Sequence, residues 1–199
     1  MYPLLETIKC SDGKLCNMEF HQLRFEKSCV EYFGIQPNIN LMENIEIPAF
    51  AKKGIFRCRV IYSKQIEKIE FVPHQYREIQ SLKLIEDNEI DYGFKYADRD
   101  RLNLLFEKRG ICDDIIIVKN GCITDSTFAN IVFFDGRKWL TPDTPLLTGT
   151  QRAKLLSENK IFKCRITPED IQRYKKIGLI NAMQDLEIMK PIDIKNIHF

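Results

Sequence analysis

Gly121-Cys122-Ile123-Thr124-Asp125-Ser126-Thr127-Phe128-Ala129-Asn130-Ile131-Val132-Phe133-Phe134-Asp135-Gly136 is the stretch whose reading decides the fold. It opens on Asn120-Gly121, a pair that favours the left-handed backbone of a tight hairpin turn. Cys122-Ile123-Thr124 then returns along Asp114 to Lys119. Residues 129–134 make a strand, Asp135-Gly136 a second turn, and 138–141 another return strand. Working forward, Gly149 or Thr150 opens a helix through Asn159, and 161–166 is a strand. Thr167-Pro168-Glu169-Asp170 reads as a helix start with proline and acids in the first turn, and 177–181 is a last strand.

Working backward, Asp98 is placed to cap a helix that ends near Arg109, with Gly110 as its stop. Strands are expected at 54–63, 65–72 and 79–86, while 35–53 gives no clear pattern. A strand, an Asp12-Gly13 turn and a short second strand fill 4–16. Asn17 is placed to cap a helix to about Phe33, with Met18, Phe20, Leu23, Cys29, Val30 and Phe33 inward and Gly34 just past its end. Antiparallel hairpins dominate, no β-α-β alternation is legible, and the class is α+β.

The 199 residues suit one or two domains. Thirty Lys and Arg against 28 Asp and Glu leave no basic stripe, so no nucleic-acid partner is expected. The longest apolar runs, such as Ile115 to Val118, are too short for a membrane span, so no membrane partner is expected either. No signal peptide is read at the N-terminus, and seven cysteines without a Cys-x-x-Cys pair fit a reducing cytoplasm better than disulfides or zinc. No metal site is expected from three histidines.

Three features stand out as chemistry. Lys95, between Phe94 and Tyr96, is an amine in an apolar setting, which lowers its proton affinity and favours nucleophilic use. Asp125 follows a hairpin. Thr148-Gly149-Thr150-Gln151-Arg152 puts glycine and hydroxyls at a helix start, where N–H groups attract an anion. The plainer alternatives are a solvated lysine, turn chemistry and a simple cap.

The order of these motifs resembles the class IV aminotransferase family, the pyridoxal-phosphate (PLP) enzymes of fold type IV. The resemblance rests on Glu6-Thr7-Ile8 with Asp12-Gly13 and His21-Gln22-Leu23-Arg24, Lys95-Tyr96 with Arg99, and the stretch from Gly121 to Phe133. It extends to Leu140-Thr141-Pro142, Leu147 to Arg152, and Asn181-Ala182-Met183 with Pro191. It implies a small N-terminal α/β sandwich at 1–78 and a larger barrel-like C-terminal domain at 79–199, with PLP between them. It implies Lys95 as Schiff-base lysine and proton carrier, and Arg24 on the phosphate with Thr150, Gln151, Asn181 and Ala182. Asp125 would face the pyridine nitrogen. Arg24 as a solvated arginine, Thr150 as a cap and Asn181 as a turn residue are the plainer readings of three of these. His21 reads as a supporting or surface group, and Cys122 as a small core residue.

The resemblance is nearest to 4-amino-4-deoxychorismate lyase, which releases pyruvate to give 4-aminobenzoate in folate biosynthesis. An amino-acid aminotransferase of the branched-chain or D-amino-acid type, and a shortened relative with a binding role, are the alternatives. A small amino substrate, a homodimer and a cytoplasmic setting go with it. The chain departs from the family in carrying Asp125 for glutamate, Gln151 where threonine is frequent, a short lead before Glu6, and no glycine-rich loop after 54–63. Arg57 and Arg59 share one face of that strand and can meet either a carboxylate or solvent.

Overall fold

The computed structural model describes all residues from Met1 to Phe199. Two compact units divide the chain: Met1–Tyr76 with Phe94–Asp98, and Arg77–Gly93 with Arg99–Phe199.

The first unit is a four-stranded antiparallel sheet and a helix. Its strands are β1 (Leu4–Ser11), β2 (Lys14–Leu15), β3 (Ile55–Tyr62) and β4 (Ile66–Pro73), in the order β2-β1-β3-β4. Asp12 and Gly13 take φ of 49° and 74°, as the tight β1–β2 turn requires. Leu4, Ile8, Cys58, Val60 and Tyr62 are buried with Phe25 and Cys29 of helix α1 (Met18–Glu31). The buried side of α1 is His21, Phe25, Ser28 and Cys29, spaced as one helical face. This corrects the apolar side expected above: Leu23 and Val30 are exposed. The helix turns a histidine and a serine inward because a buried carboxylate on β1 waits there. Asn17 also differs from expectation, since it sits in the left-handed region and its side chain makes no capping bond. Segment 35–53 contributes a short helix, α2 (Leu41–Asn44), and a 3-10 turn at Ala49–Lys52.

The second unit holds two sheets. One runs β13-β5-β6-β7, from β5 (Leu82–Glu86), β6 (Asp114–Lys119), β7 (Cys122–Ile123) and β13 (Ile197–His198). The other runs β10-β9-β8-β11-β12, from β8 (Asn130–Phe134), β9 (Trp139–Pro142), β10 (Ile161–Cys164), β11 (Lys176–Ile180) and β12 (Ile192–Asp193). Ile116, Val118, Ile123, Ile131, Phe133, Ile177 and Leu179 form their shared core.

The absence of β-α-β units is corrected. β5 and β6 pair in parallel across α3 (Asp100–Phe106), and β9 and β10 pair in parallel across α4 (Thr150–Ser157). The first crossover was hidden because its connection also contains Phe94–Asp98, which packs in the first unit. Helix α3 starts one residue later than expected, with Arg99 rather than Asp98 at its N-cap position. The helix start read at Thr167-Pro168-Glu169-Asp170 forms, as a 3-10 helix (Pro168–Arg173) that also carries a Thr167/Asp170 capping box, and Asn120-Gly121 adopts φ of 51° and 70°.

Candidate active site

Each unit carries one set of the residues singled out in the sequence. In the first, Lys95 lies on a short extended segment that extends the start of β1. Leu5 N–H donates to the Lys95 carbonyl at 2.8 Å, Ala97 N–H donates to Pro3 at 2.9 Å, and Leu4 bridges Tyr96. Phe94 and Tyr96 pack on the Tyr32 ring, at 5.0 and 5.6 Å between centroids. These contacts explain why an aromatic residue stands on each side of the lysine.

Beside that segment is a buried polar cluster. Glu6 and His21 are fully buried. Arg24 donates to both oxygens of Glu6, from Nε at 2.8 Å and from Nη2 at 2.6 Å. His21 Nδ1 lies 2.6 Å from Glu6 Oε2. Burial alone would raise the Glu6 carboxyl. Arg24 and His21 more than reverse this and hold it at about 2. Burial lowers the His21 imidazole, with Arg24 and Lys95 adding to the effect against the pull of Glu6. His21 is therefore neutral and donates Nδ1–H to Glu6. The Lys95 backbone joins this region through β1, its carbonyl accepting from the N–H of Leu5, the residue before Glu6. Arg24 is thus no solvated helix arginine, and His21 no surface residue. Glu6, quoted only as a motif residue above, proves to be the acid that orders both.

In the second unit, Asp125 sits in the turn between β7 and β8. Its carbonyl accepts from Ile117 N–H at 2.9 Å, and its backbone bridges Asn130. Asn130 Nδ2 donates to Asp125 Oδ1 at 2.7 Å and to the Leu147 carbonyl at 2.8 Å. Leu147 N–H donates to Asp125 Oδ2 at 2.9 Å. One carboxylate therefore ties the turn to the loop that leads into α4. Burial pushes it up to about 6, against the lowering by Leu147 N–H, Asn130 and the Arg152 charge.

Thr150 and Gln151 open α4 and are buried, and Gly149 before them offers no capping side chain. Arg152 is buried too, donating to Thr141 Oγ1 at 3.2 Å and to the Pro142 carbonyl at 2.8 Å. Asn181 commits its backbone N–H to Gln184, and its Oδ1 accepts from Met183 N–H at 2.8 Å. Its Nδ2 reaches the Phe128 carbonyl at 3.4 Å. Ala182 is partly exposed within that turn. Asn130 and Arg152 were missed as site residues. Their signal was their fixed place in the Gly121–Phe133 and Leu147–Arg152 motifs.

A second buried acid supports the same turn. Asp114 Oδ1 accepts from Thr127 Oγ1 and from Ile115 N–H, both at 2.8 Å, while Oδ2 has no partner. Arg99 Nη2 donates to the Thr127 carbonyl at 2.7 Å. Burial pushes Asp114 up to about 6, against Thr127, Ile115 and the charges of Arg77 and Arg99. Asp114 and Asp125 both bind protons more tightly folded than unfolded. Their ionisation thus lowers stability as pH rises from about 4 through 6, on the order of 2–3 kcal/mol each. Urea midpoints at pH 4.5 and 7.5 should show the drop, and Asp114→Asn should remove about half of it. An unchanged drop in that variant would remove Asp114 from the account.

The chain belongs to the class IV aminotransferase family. The family model for amino-transferase class IV matches residues 92–189. A protein of Haemophilus somnus provisionally described as a 4-amino-4-deoxychorismate lyase is 37% identical over 94% of this chain and 98% of its own, with a TM-score of 0.88. An uncharacterized protein of Haemophilus influenzae is 42% identical over 94% of this chain and all of its own length. At the level of fold alone, the branched-chain amino acid aminotransferase of Escherichia coli superposes with a TM-score of 0.73 at 14% identity, covering 98% of this chain and 76% of its own. The fold is thus that of the fold IV aminotransferases, as the motif order implied. No helix is long and apolar enough to cross a membrane, and all seven cysteines are free thiols.

Proposed function

We propose that this protein is a PLP-dependent enzyme acting on a small amino substrate, with pyruvate elimination from 4-amino-4-deoxychorismate to give 4-aminobenzoate as its reaction. The residues present fit the cofactor by the chemistry of their donors. The first unit offers an amine, Lys95, and a guanidinium, Arg24, that Glu6 orients through two bonds. The second offers a buried carboxylate, Asp125, bonded to the loop that opens a helix without a capping side chain. Bound PLP supplies an electron-withdrawing ring conjugated to the substrate nitrogen.

The rest falls to this chain's side chains. Lys95 would anchor the cofactor through its amine and then carry a proton to and from the substrate. Asp125 would hold positive charge opposite the ring nitrogen. Arg24 and the N–H groups of Thr150 and Gln151 would hold the phosphate, with Asn181 and Ala182 on its other side. Neutral His21 keeps Glu6 and Arg24 in register. The observation that supports the reading is that the Lys95 backbone pairs with Leu5 of β1, next to Glu6, the acid that holds Arg24 and His21. The 37% identical Haemophilus somnus relative favours the lyase. Amino-acid transamination is the second reading, favoured by the family model itself and by a Mesorhizobium loti protein of similar length, provisionally described as an amino-acid aminotransferase, at 18% identity and a TM-score of 0.81. A homodimer and a cytoplasmic setting go with either reading, the former checked by sedimentation and the latter by fractionation.

The test is to add PLP, dialyse, and record the visible spectrum. Pyruvate and 4-aminobenzoate are then assayed from aminodeoxychorismate, and keto acids from amino acids. We expect retained colour, lost in Lys95→Ala, and pyruvate with 4-aminobenzoate in equal amounts. Keto acids alone would favour the second reading. Colour retained by Lys95→Ala would exclude Lys95 as the anchor. No retained colour in the native protein would leave a binding role without PLP.

A further inference from the structure

Residues 94–98 pack in the first unit, although the chain enters and leaves them through the second. So short a segment must be held by its neighbours. Part of the hold is the pairing with β1, where Leu4 bridges Tyr96 between the Leu5 and Ala97 bonds. Within the segment Tyr96 N–H donates to the Phe94 carbonyl at 3.0 Å, a three-residue turn with Lys95 at its middle. Ordering the segment costs conformational entropy that a pair of strand bonds covers poorly. Side-chain packing must supply the remainder.

One ring stands at the centre of that packing. Tyr32 meets both Phe94 and Tyr96, the residues on either side of the lysine. It closes α1, its N–H donating to the Ser28 carbonyl at 2.9 Å. Its ring stands edge-on to Phe33 at 4.9 Å, Phe33 to Tyr62 at 6.2 Å, and Tyr62 to Phe25 at 4.7 Å. Its seat is thus tied ring by ring to the core. Its hydroxyl accepts from Tyr2 N–H at 3.1 Å, which fastens the lead into β1 to the same side chain. Arg24 lies about two turns earlier on the same helix.

We propose that Tyr32 is a positioning residue for Lys95. A lysine amine hangs on a long flexible stem, so its place is fixed only as well as its backbone is. By clamping Phe94 and Tyr96, Tyr32 removes the freedom of the turn on which Lys95 stands. One helix then sets both the guanidinium of Arg24 and the turn that carries the amine. Tyr32 acts through that turn and not on the substrate. The proposal rests on the reading of Lys95 as the PLP anchor, because the role concerns where a reactive amine stands.

The experiment compares the full-length native protein with three variants. Tyr32→Leu removes the ring, Tyr32→Phe removes only the hydroxyl, and Phe56→Leu removes a ring at the end of β3 away from Leu4. Without PLP, amide exchange of the peptide spanning 94–97 is followed by mass spectrometry, beside urea midpoints. With PLP, the dissociation constant is read from bound colour, and borohydride reduction with peptide mapping locates the lysine that holds it. We expect Tyr32→Leu to speed exchange at 94–97 about tenfold or more beyond its effect on the β4 peptide 66–73, and to weaken PLP at Lys95 about tenfold. Tyr32→Phe should show smaller changes of the same sign, and it is the deciding variant should Tyr32→Leu not fold. Phe56→Leu should change neither quantity beyond what its urea midpoint accounts for. Exchange in Tyr32→Leu that rises equally across the chain, or does not rise at 94–97, overturns the proposal. So does a loosened 94–97 segment with PLP affinity and attachment site unchanged. Failure of the PLP reading shows separately, as no reduced PLP on Lys95 of the native protein, and exchange at 94–97 then decides by itself whether Tyr32 holds the turn.

Discussion

Replacing Glu6 with glutamine is expected to cost about 3–5 kcal/mol of folding stability at neutral pH, the usual loss when one partner of a buried ion pair is removed. Arg24 is only 11% exposed and bonds to both Glu6 oxygens. Glutamine has nearly the same shape, but its amide carries no charge and turns a donor toward either Arg24 or His21, which are donors themselves. The effect has a pH signature. The folded Glu6 carboxyl sits at about 2, below its ordinary 4.5, so its contribution is complete above that ordinary value and is lost as pH falls toward 2. Urea denaturation of the native protein should show this loss on acidification, and Glu6→Gln should not. Adding Arg24→Met to Glu6→Gln should return part of the stability by removing the stranded charge. A single variant as stable as the native protein at pH 7 would mean that the cluster does not hold β1 to α1. Asp114 and Asp125 act in the opposite sense, losing stability as pH rises through 4 to 6.

Gly149→Ala carries the second large effect. The backbone at Gly149 is ordinary, with φ of −66°, so the demand for glycine is one of space. A Cβ there would lie 2.0 Å from Asn130 Oδ1 and 3.2 Å from its Cγ. Asn130 cannot swing aside without breaking its bonds to Asp125 and to the Leu147 carbonyl. Overpacking costs about 1–3 kcal/mol and each lost bond about 1 more, so a loss of about 2–4 kcal/mol is expected. If the protein binds PLP as proposed, its affinity should fall in parallel, since the Asp125 turn and the α4 entrance are joined through Asn130. The combination Gly149→Ala with Asn130→Ala tests the cause. If the clash with Asn130 is responsible, the double variant should lose less than the sum of the singles. Strict additivity would point elsewhere.

Most strands were legible because their signal is local. The Asp12-Gly13 and Asn120-Gly121 pairs fix their turns through left-handed backbone alone, and the apolar run from Ile115 to Val118 marks a strand buried on both faces. The inner face of α1 was not legible, because hydrophobicity ranks Leu23 and Val30 above His21 and Ser28. Only the presence of Glu6 and Tyr62 opposite makes the polar pair the buried one. The parallel pairings were hidden for a similar reason: neither the β5–β6 nor the β9–β10 register is encoded near either strand.

The sequence by itself determined the family, through motifs whose residue types are imposed by chemistry: an amine at 95, an acid at 125, an arginine at 24 and a helix start at 150. What the tertiary structure decided is how those groups are held. Lys95 returns to pair with β1, Arg24 is fixed by Glu6, and Asp125 is bonded to Asn130 and Leu147. The physical reason is that a charge in a low-dielectric interior is set by neighbours distant in the chain, whereas turns and strand periodicity are set by residues next to one another.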